Sequence, residues 1–230
     1  MLDLSQTMHP FPRVNSFQEL IDTPFYGEAN AICWSRKLKG DFSEIVNKLR
    51  LKENITEICQ EELLALKLTE QGKLARKILI NDIKLLRNQG ASPSLNLLKC
   101  YEKDDGFFPT DVYSFHVDRS PIPTHTFLCT YYGEPSEIVA NTEARQKILN
   151  PEIRTELKKL HKGSEDTFEE FLKEYFFDLH YETKPNADII NLGVGNLWRL
   201  AVDHPKSKVL PCIHRAPQEK DGKIRLLLIC

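Results

Sequence analysis

The run Lys223-Ile224-Arg225-Leu226-Leu227-Leu228-Ile229 is apolar on both faces of an extended chain, except at Arg225. A strand with one wet side would alternate. A continuous apolar run is the pattern of a central strand covered on both faces. A guanidinium in that place is costly unless an anion satisfies it. That anion is either a protein carboxylate or the carboxylate of a ligand. Upstream, Lys208–His214 reads as a second strand, and Pro217–Gly222 as the loop between them, with Asp221-Gly222 supplying turn chemistry. An antiparallel hairpin about that loop sets His214 directly opposite Arg225 on one face. A slip of one residue would send them to opposite faces.

Further strands are expected at Ala31–Trp34, an apolar run, at Ser94–Tyr101, which alternates, at Val112–Val117, at Thr124–Tyr132, which is β-branched and aromatic, and at Leu197–Val202. Helical spacing is expected over Phe42–Leu49 with Asp41 as cap, over Ile55–Leu66, and from Thr69 to Asn88 with Gly90 as the stop. A second helical region covers Thr142–Leu149, Glu152–Leu160 and Thr167–Phe177. Helices, strands, a helical insertion and strands again favour an α+β fold with a β-sandwich or barrel core over alternating βαβ units. The expectation is a single domain over 1–230. It comprises an N-terminal arm (1–27, with a short helix at Phe17–Ile21), a strand and helical layer (28–93), a β core (94–140 and 188–230) and a helical insertion (141–187).

Thirty-one Lys and Arg stand against 33 Asp and Glu, a formal net charge of −2. That balance gives no support for nucleic-acid or membrane-surface binding. The six cysteines contain no C-x-x-C pair, so free thiols in a reducing compartment are expected. The first residues lack a basic and apolar leader pattern, so no signal peptide is expected, and no apolar run reaches membrane-spanning length. The expected location is cytoplasmic.

Phe115-His116-Val117-Asp118 places an imidazole and a carboxylate two residues apart, where a strand projects both to one face. That is half of a site for a divalent metal, and His214 is the candidate third ligand. Two histidines and one carboxylate with open positions form the facial triad of non-haem iron(II) oxygenases, and the same set holds zinc. His125 and His204 compete as ligands. His9, His161 and His180 have no partner at useful spacing. Nothing arranges an acid and an oxyanion hole around Cys129 or Cys212 for a Cys-His hydrolase.

His116-x-Asp118, His214 and Arg225 together resemble the signature of the iron(II)/2-oxoglutarate-dependent dioxygenase superfamily, whose distal histidine is followed about ten residues later by an arginine. The resemblance implies a double-stranded β-helix of the cupin or jelly-roll kind. It implies Fe(II) on His116, Asp118 and His214, and 2-oxoglutarate on Arg225, with Tyr131 or Thr126 assisting. That fold needs eight strands, so two more are expected near Ile138–Ala140 and Asp188–Ile190. Asn30–Arg36, Phe115–Asp118, Leu128–Gly133, His214–Pro217 and Arg225–Leu228 are also similar to a bacterial family, domain of unknown function 1826. This chain departs from that family's pattern at Gly133–Ile138 and Arg215–Gln218. Two other readings stay open. One is a cupin-like metal-binding protein that works without 2-oxoglutarate. The other is a non-enzymatic β-sandwich interaction module.

Overall fold

The computed structural model describes residues 11–218 and 222–230. The first ten residues of the expected arm, His9 among them, and Asp221 of the expected turn lie outside that range. In chain order the strands and helices are β1 (Arg13–Val14), α1 (Phe17–Asp22), β2 (Ala31–Trp34), α2 (Phe42–Lys48), β3 (Ile55–Glu57), α3 (Gln60–Ala65), α4 (Glu70–Asn88), β4 (Ser94–Leu98), β5 (Phe115–His116), β6 (His125–Tyr132) and β7 (Glu137–Val139). Then come β8 (Ala144–Gln146), α5 (Pro151–Leu160), α6 (Phe168–Glu174), β9 (His180–Thr183), β10 (Ile189–Asn191), β11 (Leu197–Ala201), β12 (Ile213–Arg215) and β13 (Arg225–Ile229). The protein is α+β, with two largely antiparallel sheets. No helix among the described residues is long and apolar enough to cross a membrane.

The larger sheet has the order β1-β2-β11-β6-β13-β4-β3 and the smaller one β10-β7-β12-β5-β9-β8. The C-terminal run is central as its composition predicts, with β4 on one side of β13 and β6 on the other. Its alternate residues feed two cores. Leu226 and Leu228 pack under the helices with Leu95, Leu97, Phe127, Cys129 and Leu197. Leu227 packs between the sheets with Leu98, Leu128, Trp198, Ile138 and Cys212. The period-2 alternation of a strand thus gives the larger sheet one face toward helices and one toward the smaller sheet.

The helical layer follows its capping chemistry. Asp41 accepts from the Glu44 amide at 2.9 Å to start α2. The Thr69 hydroxyl accepts from Gly72 to start α4. Gly90, at φ +81°, ends α4 in a conformation that side chains disfavour. One face of α4 buries Ala75, Leu79, Ile83 and Leu86, and with them Asp82. Asp82 takes both Arg36 Nη atoms, at 2.9 and 2.6 Å, and the Tyr131 hydroxyl at 2.6 Å. This buried trio ties helix α4 to β6 and to the end of β2.

Four expectations change. Ile55–Glu57 is an edge strand against β4, not the start of a helix, because two β-branched residues lie beside an open strand edge. The helix begins only at Gln60, where Glu62 returns to the Cys59 amide at 3.0 Å. Thr142–Leu149 is not a helix. Two single turns of 3-10 helix flank β8, which pairs with β9 and is braced by Arg145 on Glu182. Val112–Val117 is strand only at Phe115–His116. The hairpin of His214 on Arg225 does not form. Strand β12 lies between β5 and β7 in the smaller sheet, while both edges of β13 are taken by β4 and β6. The strands expected near Ile138–Ala140 and Asp188–Ile190 are present as β7 and β10, paired with each other.

Two outcomes are expected in equilibrium unfolding. Asp82→Ala leaves the Arg36 guanidinium buried without its anion and lowers stability by about 3–5 kcal/mol in urea denaturation. Glu44 bridges α2 and α4, accepting from Lys48 Nζ at 2.7 Å and the Thr69 hydroxyl at 2.6 Å. These contacts, Lys48 first, hold its pKa at about 2, against 4.5 ordinarily. The bridge therefore stabilises the fold above the ordinary carboxylate value and is lost as pH falls toward 2. The melting-temperature gap between wild type and Glu44→Gln is expected to be open at neutral pH and closed at pH about 2.

Candidate metal centre

Strands β12 and β5 are neighbours, and their register sets His214 directly opposite His116. Directly opposed residues share a face, and the two ring centroids stand 4.5 Å apart. Asp118 lies two residues beyond His116, past the end of β5. Its backbone stays tethered because its carbonyl accepts from the Asp203 amide at 2.8 Å. His214 Nε2 is 3.6 Å from Asp118 Oδ2. The ligand atoms of His116, Asp118 and His214 lie within 4.8 Å of one another. Three facial ligands at about 2.1 Å from one ion stand about 3 Å apart. The His214–Asp118 spacing is already close to that value.

The hydrogen bonds behind these groups suit a metal. Each histidine places Nδ1 on the carbonyl two residues back, just before its strand: His116 on Ser114 at 2.8 Å, His214 on Cys212 at 3.1 Å. A carbonyl only accepts, so both Nδ1 atoms carry the proton and both Nε2 lone pairs are left for a ligand. The Thr126 hydroxyl, from the facing sheet, donates to Asp118 Oδ2. Burial first, and then His214, pushes the His116 pKa down to about 4. For Asp118 burial pulls upward, but His214, the Thr126 hydroxyl and His116 outweigh it and hold the carboxyl below its ordinary range. Neutral His116 and ionised Asp118 are the states a divalent cation needs.

The row extends on both sides. Ile138 of β7 is opposite His214, and His180 of β9 is opposite His116. Ile138, His214, His116 and His180 therefore lie side by side across four strands. His180 is 4 % exposed, its Nδ1 has no hydrogen-bond partner, and its ring is 5.8 Å from that of His116. It lines a cavity of about 220 Å³ together with His116, Asp118, Asp111 and Phe176. Sequence reasoning passes over His180 because no nearby residue in the chain pairs with it. Its position beside His116 follows only from strand pairing.

Arg225 opens β13 on the inter-sheet side, sharing the face of Leu227, and is buried. Its Nη2 donates to Ser136 Oγ at 3.2 Å, just before β7. Gly133, at φ +87°, makes room for it: a Cβ there would meet Arg225 Cγ at 2.9 Å and the Ile224 carbonyl at 2.6 Å. Tyr131 is not part of this group. Alternation along β6 sends it to the helical face, where its hydroxyl donates to Asp82 and its ring stacks on Phe42. Thr126 is the residue of that strand that faces Asp118. His125 and His204 lie elsewhere. Cys129 and Cys212 are free thiols whose pKa values burial pushes up, which disfavours a thiolate nucleophile.

No family model, curated protein or solved structure matches the chain.

The carbonyl contacts predict one tautomer for both ligands. In nitrogen-detected NMR of the metal-free protein, His116 and His214 should both show Nδ1–H and unprotonated Nε2. The opposite tautomer at either residue would contradict this geometry.

Proposed function

We propose that this protein is an iron(II)/2-oxoglutarate-dependent oxygenase built on a double-stranded β-helix. The observation that carries the reading is the convergence of His116, Asp118 and His214, with both imidazoles held by Nδ1 so that Nε2 faces the group. Two imidazoles and one carboxylate leave open positions on a six-coordinate ion. The strand path supports the fold: β4, β6, β11 and β13 lie in one sheet, and β5, β7, β10 and β12 in the other, so the core strands cross between sheets as the chain proceeds. A buried cation on the inter-sheet face at the start of β13 supports 2-oxoglutarate.

In this reading the chain's own groups have separate tasks. His116, Asp118 and His214 hold the metal. Thr126 fixes the orientation of Asp118 through its hydroxyl. Arg225 presents a planar fork suited to a carboxylate. Ser136 accepts from the fork, and Gly133 leaves room for the Arg225 stem. His180 and Phe176 line the cavity beside the ligands and would face a substrate. Iron held by these residues would supply the redox chemistry that joins oxygen to substrate at the expense of 2-oxoglutarate. Zinc fits the same donors.

A cupin-like metal protein without 2-oxoglutarate is the second reading. It needs only the ligand trio and gives Arg225 no role beyond its contact with Ser136. Titration of metal-free protein with Mn(II), followed by electron paramagnetic resonance, separates the two. One saturable site is expected, weakened more than about a hundredfold in His116→Ala and His214→Ala. Addition of 2-oxoglutarate should change the spectrum of wild type and leave that of Arg225→Gln unchanged. A metal signal insensitive to 2-oxoglutarate would leave the cupin-like reading. No metal binding would remove both.

A further inference from the structure

Strands β6 and β11 have a second face. Thr126 points toward Asp118, so its neighbour His125 points the other way, toward α1. On that face Arg199 of β11 pairs in register with Phe127 and is 6 % exposed. Its Nη1 donates to the Ile21 carbonyl at 2.6 Å and its Nη2 to the Thr23 carbonyl. The Phe25 ring lies 4.5 Å from the guanidinium carbon, and Nε has no acceptor. A guanidinium has five N–H donors. The acceptors here are neutral carbonyls at the end of α1, which offer roughly half a negative charge at most. Among the described residues Asp22 is the carboxylate whose charge reaches Arg199. Both Asp22 oxygens are engaged by the Gln18 amide, at 2.9 and 2.8 Å. A buried cation in this state is short of an anion, which is costly when nothing fills it.

A cavity of about 390 Å³ opens onto this group. That size is in the range of small-molecule sites. The His125 ring lines it, with its Nδ1 buried behind the wall and without a hydrogen-bond partner. His204, Lys206, Ser207 and Lys208 form the rim, and no Asp or Glu is among the described residues that line it. The two histidines that competed as metal ligands thus meet at a different site. Burial, then Arg199 and His204, pushes the His125 pKa down to about 4. A neutral ring can donate one N–H without adding charge repulsion to Arg199.

We propose that this cavity binds an oxyanion, the phosphate or carboxylate of a small molecule, with Arg199 as the central contact, His125 as a second donor and Lys206 and Lys208 as outer charges. The planar fork suits either oxyanion. The site lies back to back with the metal centre across β6 and β11 and does not depend on the metal.

The test is calorimetric titration of the full chain with inorganic phosphate and, separately, with malonate, chloride being used to hold ionic strength constant. Saturable binding with a dissociation constant on the order of 0.1–1 mM is expected for at least one of them. The double variant Lys206→Glu/Lys208→Glu should bind at least about tenfold more weakly, and His125→Phe should also lose affinity. Lys173→Glu, an exposed charge change on α6, should not. Binding of phosphate alone assigns a phosphoryl group; binding of malonate alone assigns a carboxylate. Arg199→Met should abolish binding. If that variant does not fold, the lysine pair decides, since both side chains are exposed. No saturable binding of either anion up to about 50 mM, or unchanged affinity in both the lysine pair and His125→Phe, would overturn the proposal.

Discussion

Backbone pairing of His116 with His214 is the constraint on which the arrangement of the centre rests. Neither strand is long: β5 is two residues and β12 three. Their register is nonetheless held from both sides, by β9 beyond β5 and by β7 beyond β12. A shift of one residue would turn Phe115 and Ile213 toward the facing sheet and both histidines away from it. Such a slip would also bury imidazoles in the apolar group of Val117, Val139 and Leu179. The same pleat therefore protects the core and orients the ligands.

The larger sheet is the rigid wall against which this happens. Its helical face carries the buried trio of Arg36, Asp82 and Tyr131. Its other face brings Thr126 to Asp118. Strand β6 thus contributes to three environments: His125 to the cavity beside α1, Thr126 to the centre, and Tyr131 to the helix contact. Neighbouring residues on one strand serve opposite faces, so substitutions along β6 would differ in kind as well as in size.

Much of this was legible in the residues. Helices α2 and α4 announce themselves through Asp41, Thr69 and Gly90, whose side chains or conformations satisfy helix ends locally. The continuous apolar run of β13 marks a strand covered on both faces. The His116–Asp118 pair follows from residue type and a spacing of two, while His214 enters from the end of a separate C-terminal strand. What could not be read is which strands lie side by side. Alternation tells which way a side chain points but not which strand is its neighbour, so the sequence sets His214 against Arg225, whereas its register partners are His116 and Ile138. Short strands such as β3 and β8 owe their form to the edge beside them, and three residues carry too little pattern to show it. His180 and Arg199 escape for the same reason: each is a lone polar residue whose meaning comes from distant parts of the chain.

The segment between β8 and β9 contains α5, α6 and Phe176. It leaves and re-enters the smaller sheet on two paired strands, so its ends are held about 5 Å apart whatever lies between them. Closing a longer or shorter excursion between fixed ends costs little, because that cost grows only with the logarithm of length. Phe176 and Leu179, at the end of this segment, form part of the cavity wall next to His116 and Asp118. The wall can therefore be exchanged as a cassette while His116 and His214 stay where strand pairing puts them, with Asp118 two residues beyond. The proposed ligands and the wall beside them thus belong to different lengths of chain, and one can drift without the other.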